Sequence, residues 1–197
     1  MKTNKTLLLI VQTALLLALA LVFQIYVRAL VLPLGDIGNT LIVGSLVNLC
    51  LFVAAGTVGW RGSTVIAVVT PVVALLMGHI KFLPMMPFVA IGNMVLCLLF
   101  ELISRKKTSG VQAWIAVGVS AVGKFVVLYL LMVVVFVGLI LPGLVPADKA
   151  AGPAKLIGQM FSWPQLVTAL IGGIVGVPVI AAVRKALQHP QGNEAKA

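Results

Sequence analysis

Charge is what this sequence has least of. Its 197 residues include only 4 acidic and 14 basic side chains, so 9% of the chain is charged, against about 25% in a soluble domain. Hydrophobic residues make up 61%, where about 45–50% is usual, and the mean hydropathy is +1.20. A water-soluble globule cannot cover that much apolar surface, so function is confined to a bilayer interior and short loops. The formal charge of +10 does not point to nucleic acid, because the basic residues are scattered between apolar runs and form no basic stripe with interleaved aromatics.

Cysteine is almost as scarce. Cys50 and Cys97 each sit inside an apolar run with no CxxC or Cys/His spacing, so neither a disulfide framework nor a zinc site is indicated and both are read as small core residues. There is no GxxxxGK[ST] loop, no HExxH, no GxSxG and no carboxylate pair at bilayer depth. The chain therefore has no apparatus for ATP hydrolysis or intramembrane hydrolysis, and we expect no enzyme and no cofactor. A proton- or sodium-coupled carrier would usually bring an intramembrane carboxylate, or broken helices at related positions of two repeats, and neither is clear.

What is present divides into six apolar segments, at 6–32, 39–59, 63–78, 84–103, 111–141 and 163–183. Each is expected to be a helix, because lipid offers no partner for a bare backbone polar group. The predicted fold is a single all-α membrane domain, a bundle of six transmembrane helices with an outer loop over 142–162. Lys2 and Lys5 ahead of an apolar run resemble a signal peptide, but apolar character continues beyond Val27, too far for an ordinary signal core, so a retained first helix is expected.

One set of alternate connections and ends collects Lys2, Lys5, Arg61, Arg105, Lys106, Lys107, Arg184, Lys185 and Lys196, the other only Arg28, Lys81, Lys149 and Lys155. The positive-inside rule puts both termini in the cytoplasm. Lys124 belongs to neither side and falls within the fifth segment. A charge at that depth costs about 2.5–3.5 kcal/mol on insertion scales and usually faces a protein interior or a wet cavity.

At 1.5 Å per residue, Lys124 stands roughly 12 Å from the outer boundary, while Asn93 and Asn48 on the fourth and second helices stand roughly 13 Å below it. Depth alone thus brings three polar side chains to one level. Interhelical hydrogen-bond glue is the structural alternative for either Asn. Glu101 lies near an inner helix end, four residues before Arg105 and favourably placed to pair with it, and Asp36 lies in an outer loop. Neither is an expected partner for Lys124. Lys81, within the outer stretch 79–87, and the long outer connection containing Gln159 complete the candidate solute-binding set. Trp163 is expected to anchor the last helix at the interface.

With its length, six segments, basic inner loops, the Ala14-Leu15-Leu16-Leu17-Ala18 pattern and the Pro87-Phe88-Val89-Ala90-Ile91-Gly92-Asn93 stretch, the chain resembles the substrate-binding S components of energy-coupling factor (ECF) transporters, the prokaryotic vitamin importers. That resemblance implies capture of a vitamin-like solute in a pocket open to the outside, built from outer halves of helices four to six and loops one, three and five. Carried to this chain, those regions include Lys81, Asn93, Lys124 and Gln159. It also implies that Ala14 and Ala18 face a membrane-embedded coupling subunit, with two cytoplasmic ABC ATPases supplying energy. The basic residues favour an anionic solute. A self-sufficient secondary carrier or channel, or a structural membrane subunit, are the rival readings.

Overall fold

The computed structural model describes residues 5–104 and 110–188, and every regular element among them is helical. Helix α1 (Lys5–Val22) continues through a π-helical stretch, Phe23–Val27, into the helical turn Arg28–Val31 and a 3-10 turn, Leu32–Leu34. Then come α2 (Gly35–Thr57), α3 (Trp60–Leu76), α4 (Met85–Ser104) and α5 (Val111–Leu128). Helix α5 runs on as a π-helix, Tyr129–Ile140, and the turn Leu141–Leu144. Helices α6 (Ala147–Met160) and α7 (Trp163–Gln188) close the chain. Lys2, Arg105, Lys106, Lys107 and Lys196, and with Arg105 the expected pairing to Glu101, lie outside the described residues.

Four helical runs, Lys5–Thr57, Met85–Ser104, Val111–Leu144 and Ala147–Leu187, are long and apolar enough to cross a membrane, and Trp60–Leu76 is a shorter apolar helix. The first run folds back on itself. Gly35 adopts φ +73°, a region that side chains with a Cβ rarely enter, and α1 and α2 pack against each other. Gly59, at φ +91°, makes the next turn so tight that α3 begins at Trp60, three residues ahead of the expected 63.

The outer connection expected over 142–162 is itself largely helical. Its glycines and prolines read as loop punctuation, but Pro146 stands just ahead of the first turn of α6, where a missing N–H is harmless. The other signal there is the apolar spacing of Ala154, Ile157, Met160 and Phe161. Ile157 and Phe161 are buried, and these residues belong to a cluster with Ile80, Met85, Met132, Phe136 and Leu141. That cluster fastens α6 across the end of the bundle that carries the 77–84 turn, here called the mouth end. Phe82 and Phe136 meet within it at 5.5 Å between ring centroids.

A larger core, built on Leu51, Phe52, Ile66, Leu96, Phe100 and Ile180, fills the rest of the bundle. Phe52 and Phe100 pack edge to face at 5.0 Å, a favoured aromatic geometry. Cys50 and Cys97 are free and buried in this core, as small apolar fillers. Outside it the bundle is greasy: Leu15, Leu76, Val111 and Leu139 are more than half exposed. In water such a surface would drive aggregation; against acyl chains it is ordinary solvent contact.

Candidate functional site

Lys124 is 4% exposed, Asn48 1% and Asn93 4%. Lys124 Nζ donates to Asn48 Oδ1 at 2.6 Å and to Asn93 Oδ1 at 2.8 Å. The Asn48 Nδ2 in turn donates to Thr168 Oγ1 at 3.1 Å. Helices α2, α4, α5 and α7 therefore meet in one polar knot, with the three residues that depth arithmetic put at one level joined directly.

Small residues make this meeting possible. A Cβ on Gly172 would stand 2.7 Å from both Asn48 Cβ and Leu49 N, so α7 can approach α2 at the level of Asn48 only because it carries no side chain there. On the other side, a Cβ on Gly92 would stand 2.5 Å from Leu128 Cγ and one on Gly123 2.3 Å from Leu99 Cδ1. These two glycines immediately precede Asn93 and Lys124 and draw α4 onto α5. The local sequence thus sets the helix spacing, and the spacing sets the hydrogen bonds.

The knot forms the floor of a chamber of about 160 Å³, walled also by Gln24, Asn39, Thr70, His79 and Gln165. A second chamber of about 360 Å³ lies at the mouth end and includes Arg28, Asp36, Lys81 and Phe82. The two share Arg28, His79, Ile80, Met160 and Phe161 as common wall. Of the residues expected from sequence, Lys124, Asn93 and Asn48 line the inner chamber and Lys81 the outer one. Gln159 is exposed on α6 and lines neither.

Sequence reasoning missed Gln24, Asn39, Thr70 and Gln165 as wall residues. The first two carried a visible signal, a lone polar residue in or beside an apolar run. Gln24 is buried and its Nε2 donates to the Thr70 carbonyl at 3.0 Å, from a π-helical stretch, a feature frequent at functional sites. His79, in the turn after α3, has its pKa pushed below the usual imidazole value by burial and secondarily by the nearby Arg28 guanidinium, so it favours the neutral ring.

An ammonium offers three donors, and here two go to neutral amide oxygens. Among the described residues the wall of the inner chamber contains no carboxylate. A buried positive charge with no counter-charge is costly, and two amide dipoles answer it only in part. The arrangement is suited to receiving an anion.

Ala14 and Ala18 are both exposed on α1. Ala14 also borders a groove of about 900 Å³ at the end of the bundle away from the mouth, shared with Gly59, Arg61, Glu101 and Arg184. Arg184 Nε donates to the Gly56 carbonyl there at 2.8 Å. Glu101 Oε2 is buried, with no hydrogen-bond partner among the described residues.

A family model described as ECF transporter, substrate-specific component, matches residues 8–184. Comparisons with curated proteins and with solved structures gave no match. Since the family match takes in every helix that walls the inner chamber, the chain belongs to the substrate-specific components of ECF transporters, membrane subunits that take a small molecule and work with ECF membrane and ATPase modules.

Proposed function

We propose that this chain captures a small anionic vitamin or related micronutrient outside the cell, with Lys124, Asn48 and Asn93 as the floor of its site. The observation that carries this reading is the buried Lys124 ammonium, held by two neutral amides in a chamber whose described lining has no carboxylate. A carboxylate ligand would supply both the missing charge and an acceptor for the remaining N–H, and such charge-assisted bonds are roughly twice as strong as neutral ones. Lys81, at the outer chamber, attracts the anion at the entrance, and α6 acts as the gate.

The same reading orients the molecule. On this reading the run Lys5–Thr57, which reverses at Gly35, counts as two crossings. Helix α6, at 14 residues or about 21 Å, lies across the mouth and leaves α7 as the last crossing. Six crossings result, with the mouth outside and both termini in the cytoplasm. Ala14 and Ala18 then form the docking face for the membrane-embedded coupling subunit, and two cytoplasmic ABC ATPases power release inward.

The test is mass spectrometry of ligand released from the detergent-purified chain, followed by calorimetric binding of that compound to wild type and Lys124→Ala. An acid is expected, with affinity falling on the order of 100-fold in the variant, the scale for leaving a buried charge partner unpaired. A chain that emerges empty and binds no vitamin from a broad panel would count against capture. So would a variant that keeps its affinity.

A further inference from the structure

The inner chamber has a second unmet demand, at the opposite end from Lys124. Asn39 is 2% exposed; its Nδ2 donates to the Arg28 carbonyl at 3.4 Å, while its Oδ1 is buried and has no hydrogen-bond partner among the described residues. His79 Nδ1 is likewise buried and unpartnered. Both residues line the same chamber as Lys124. Asn39 and Asn48 are nine residues apart on α2, which is roughly 13 Å along the helix.

Buried polar atoms are nearly always paired, and one left bare in a native protein calls for a partner. An amide oxygen can only accept. The group that satisfies Asn39 Oδ1 must therefore be an N–H or O–H, and the nitrogen of a neutral His79 ring can take the same kind of donor. The floor asks for the reverse, a negatively charged acceptor. One chamber thus displays a donor at its floor and acceptors at its mouth.

Resting on the capture reading above, we infer that the ligand is bipolar: an elongated molecule with a carboxylate at Lys124 and an uncharged N–H or O–H donor reaching Asn39 Oδ1 and His79 at the other end. The outer end is uncharged because Arg28 and Asp36 answer each other at that wall and leave no net charge for an ionised group to meet. Simple acids without a distal donor leave Asn39 bare, and neutral or cationic vitamins leave Lys124 bare. A site built to hydrogen-bond a donor discriminates strongly against analogues that lack it.

Calorimetry on the full-length chain in nanodiscs tests this with a fixed set of probes. Biotin and pantothenate carry an acid and a distal N–H or O–H. Biotin methyl ester and pantothenol keep the donor and lose the acid. Nicotinate keeps the acid without a donor, and thiamine and pyridoxine stand for cationic and neutral solutes. At least one of the two bipolar acids should bind, its acid-free partner and nicotinate at least about tenfold more weakly. Asn39→Leu should bring the bipolar acid down to the level of nicotinate; His79→Phe supplies the same comparison if the first variant does not fold. Equal affinity for nicotinate, binding only by the acid-free probes, thiamine or pyridoxine, or a bipolar affinity indifferent to Asn39→Leu, or to His79→Phe where that stands in, would each overturn the bipolar ligand while leaving capture intact. If no probe binds at all, the bipolar ligand is overturned and the capture reading falls with it.

Discussion

A lysine ammonium deep in a helical bundle is costly to leave without a counter-charge, and the residue scale is where its surroundings can be altered. Asn93→Asp places a carboxylate where an amide oxygen now stands 2.8 Å from Lys124 Nζ. The resident pair would then satisfy itself. We expect the unliganded protein to melt higher and its affinity for an acid to fall on the order of 100-fold, measured by thermal unfolding and calorimetry on one preparation. His79 makes a pH prediction. Its pKa is lowered in the fold, so the unfolded chain binds the extra proton first, and stability is unaffected well above the ordinary value near 6.5 but falls as pH drops below it. The thermal midpoint should decline between neutral and mildly acidic pH, and His79→Gln should reduce that slope. Lys124, Asn93 and Asn48 were legible in the sequence because each is a polar residue in an apolar run, and helical rise converts position into depth. Gln24 and Asn39 gave the same signal but lie at other depths, so one level could not gather them.

At the scale of elements, the glycines that let helices touch are the parts most exposed to test. Gly172→Ala drives a methyl to within 2.7 Å of the α2 backbone. Overpacking of this kind costs about 1–3 kcal/mol, and here the strain falls on Asn48, so binding and thermal midpoint should fall together. Gly118→Ala is the control: a Cβ there meets nothing within 4 Å. Helix α6 predicts a separate behaviour. Ile157 fixes it to the cluster at the mouth, and Ile157→Ser should speed ligand dissociation while leaving hydrogen exchange in α2 and α7 unchanged. The long apolar helices could be read from apolar length. Helix α6 could not, because its glycines and prolines signal a turn, and the apolar residues that outweigh them find their partners outside the segment, on the Tyr129–Ile140 stretch and the 77–84 turn.

For the whole molecule, the division of labour follows from what each surface offers. This is a multi-pass protein of the prokaryotic cell membrane, a transport subunit in which substrate handling and energy supply belong to different chains. The exposed alanines on α1 lie away from the chamber wall. Ala14→Trp or Ala18→Trp should therefore leave affinity within about twofold, as expected for distant independent sites, while uptake by cells carrying the full transporter collapses. Uptake that survives both changes would move the docking face elsewhere.

The π-helical run Tyr129–Ile140 has a further consequence. Each turn bonded from i to i+5 holds more residues than its α neighbours, so this stretch sets a rotational phase between Lys124 before it and the Leu141–Met160 region after it. Loss or gain of one residue here would swing the mouth around the helix axis while leaving the floor untouched. The angle between the polar knot at Lys124 and the helix that covers the mouth is thereby set by chain length as well as by side chains, so the outline of the space between them can be altered by counting residues.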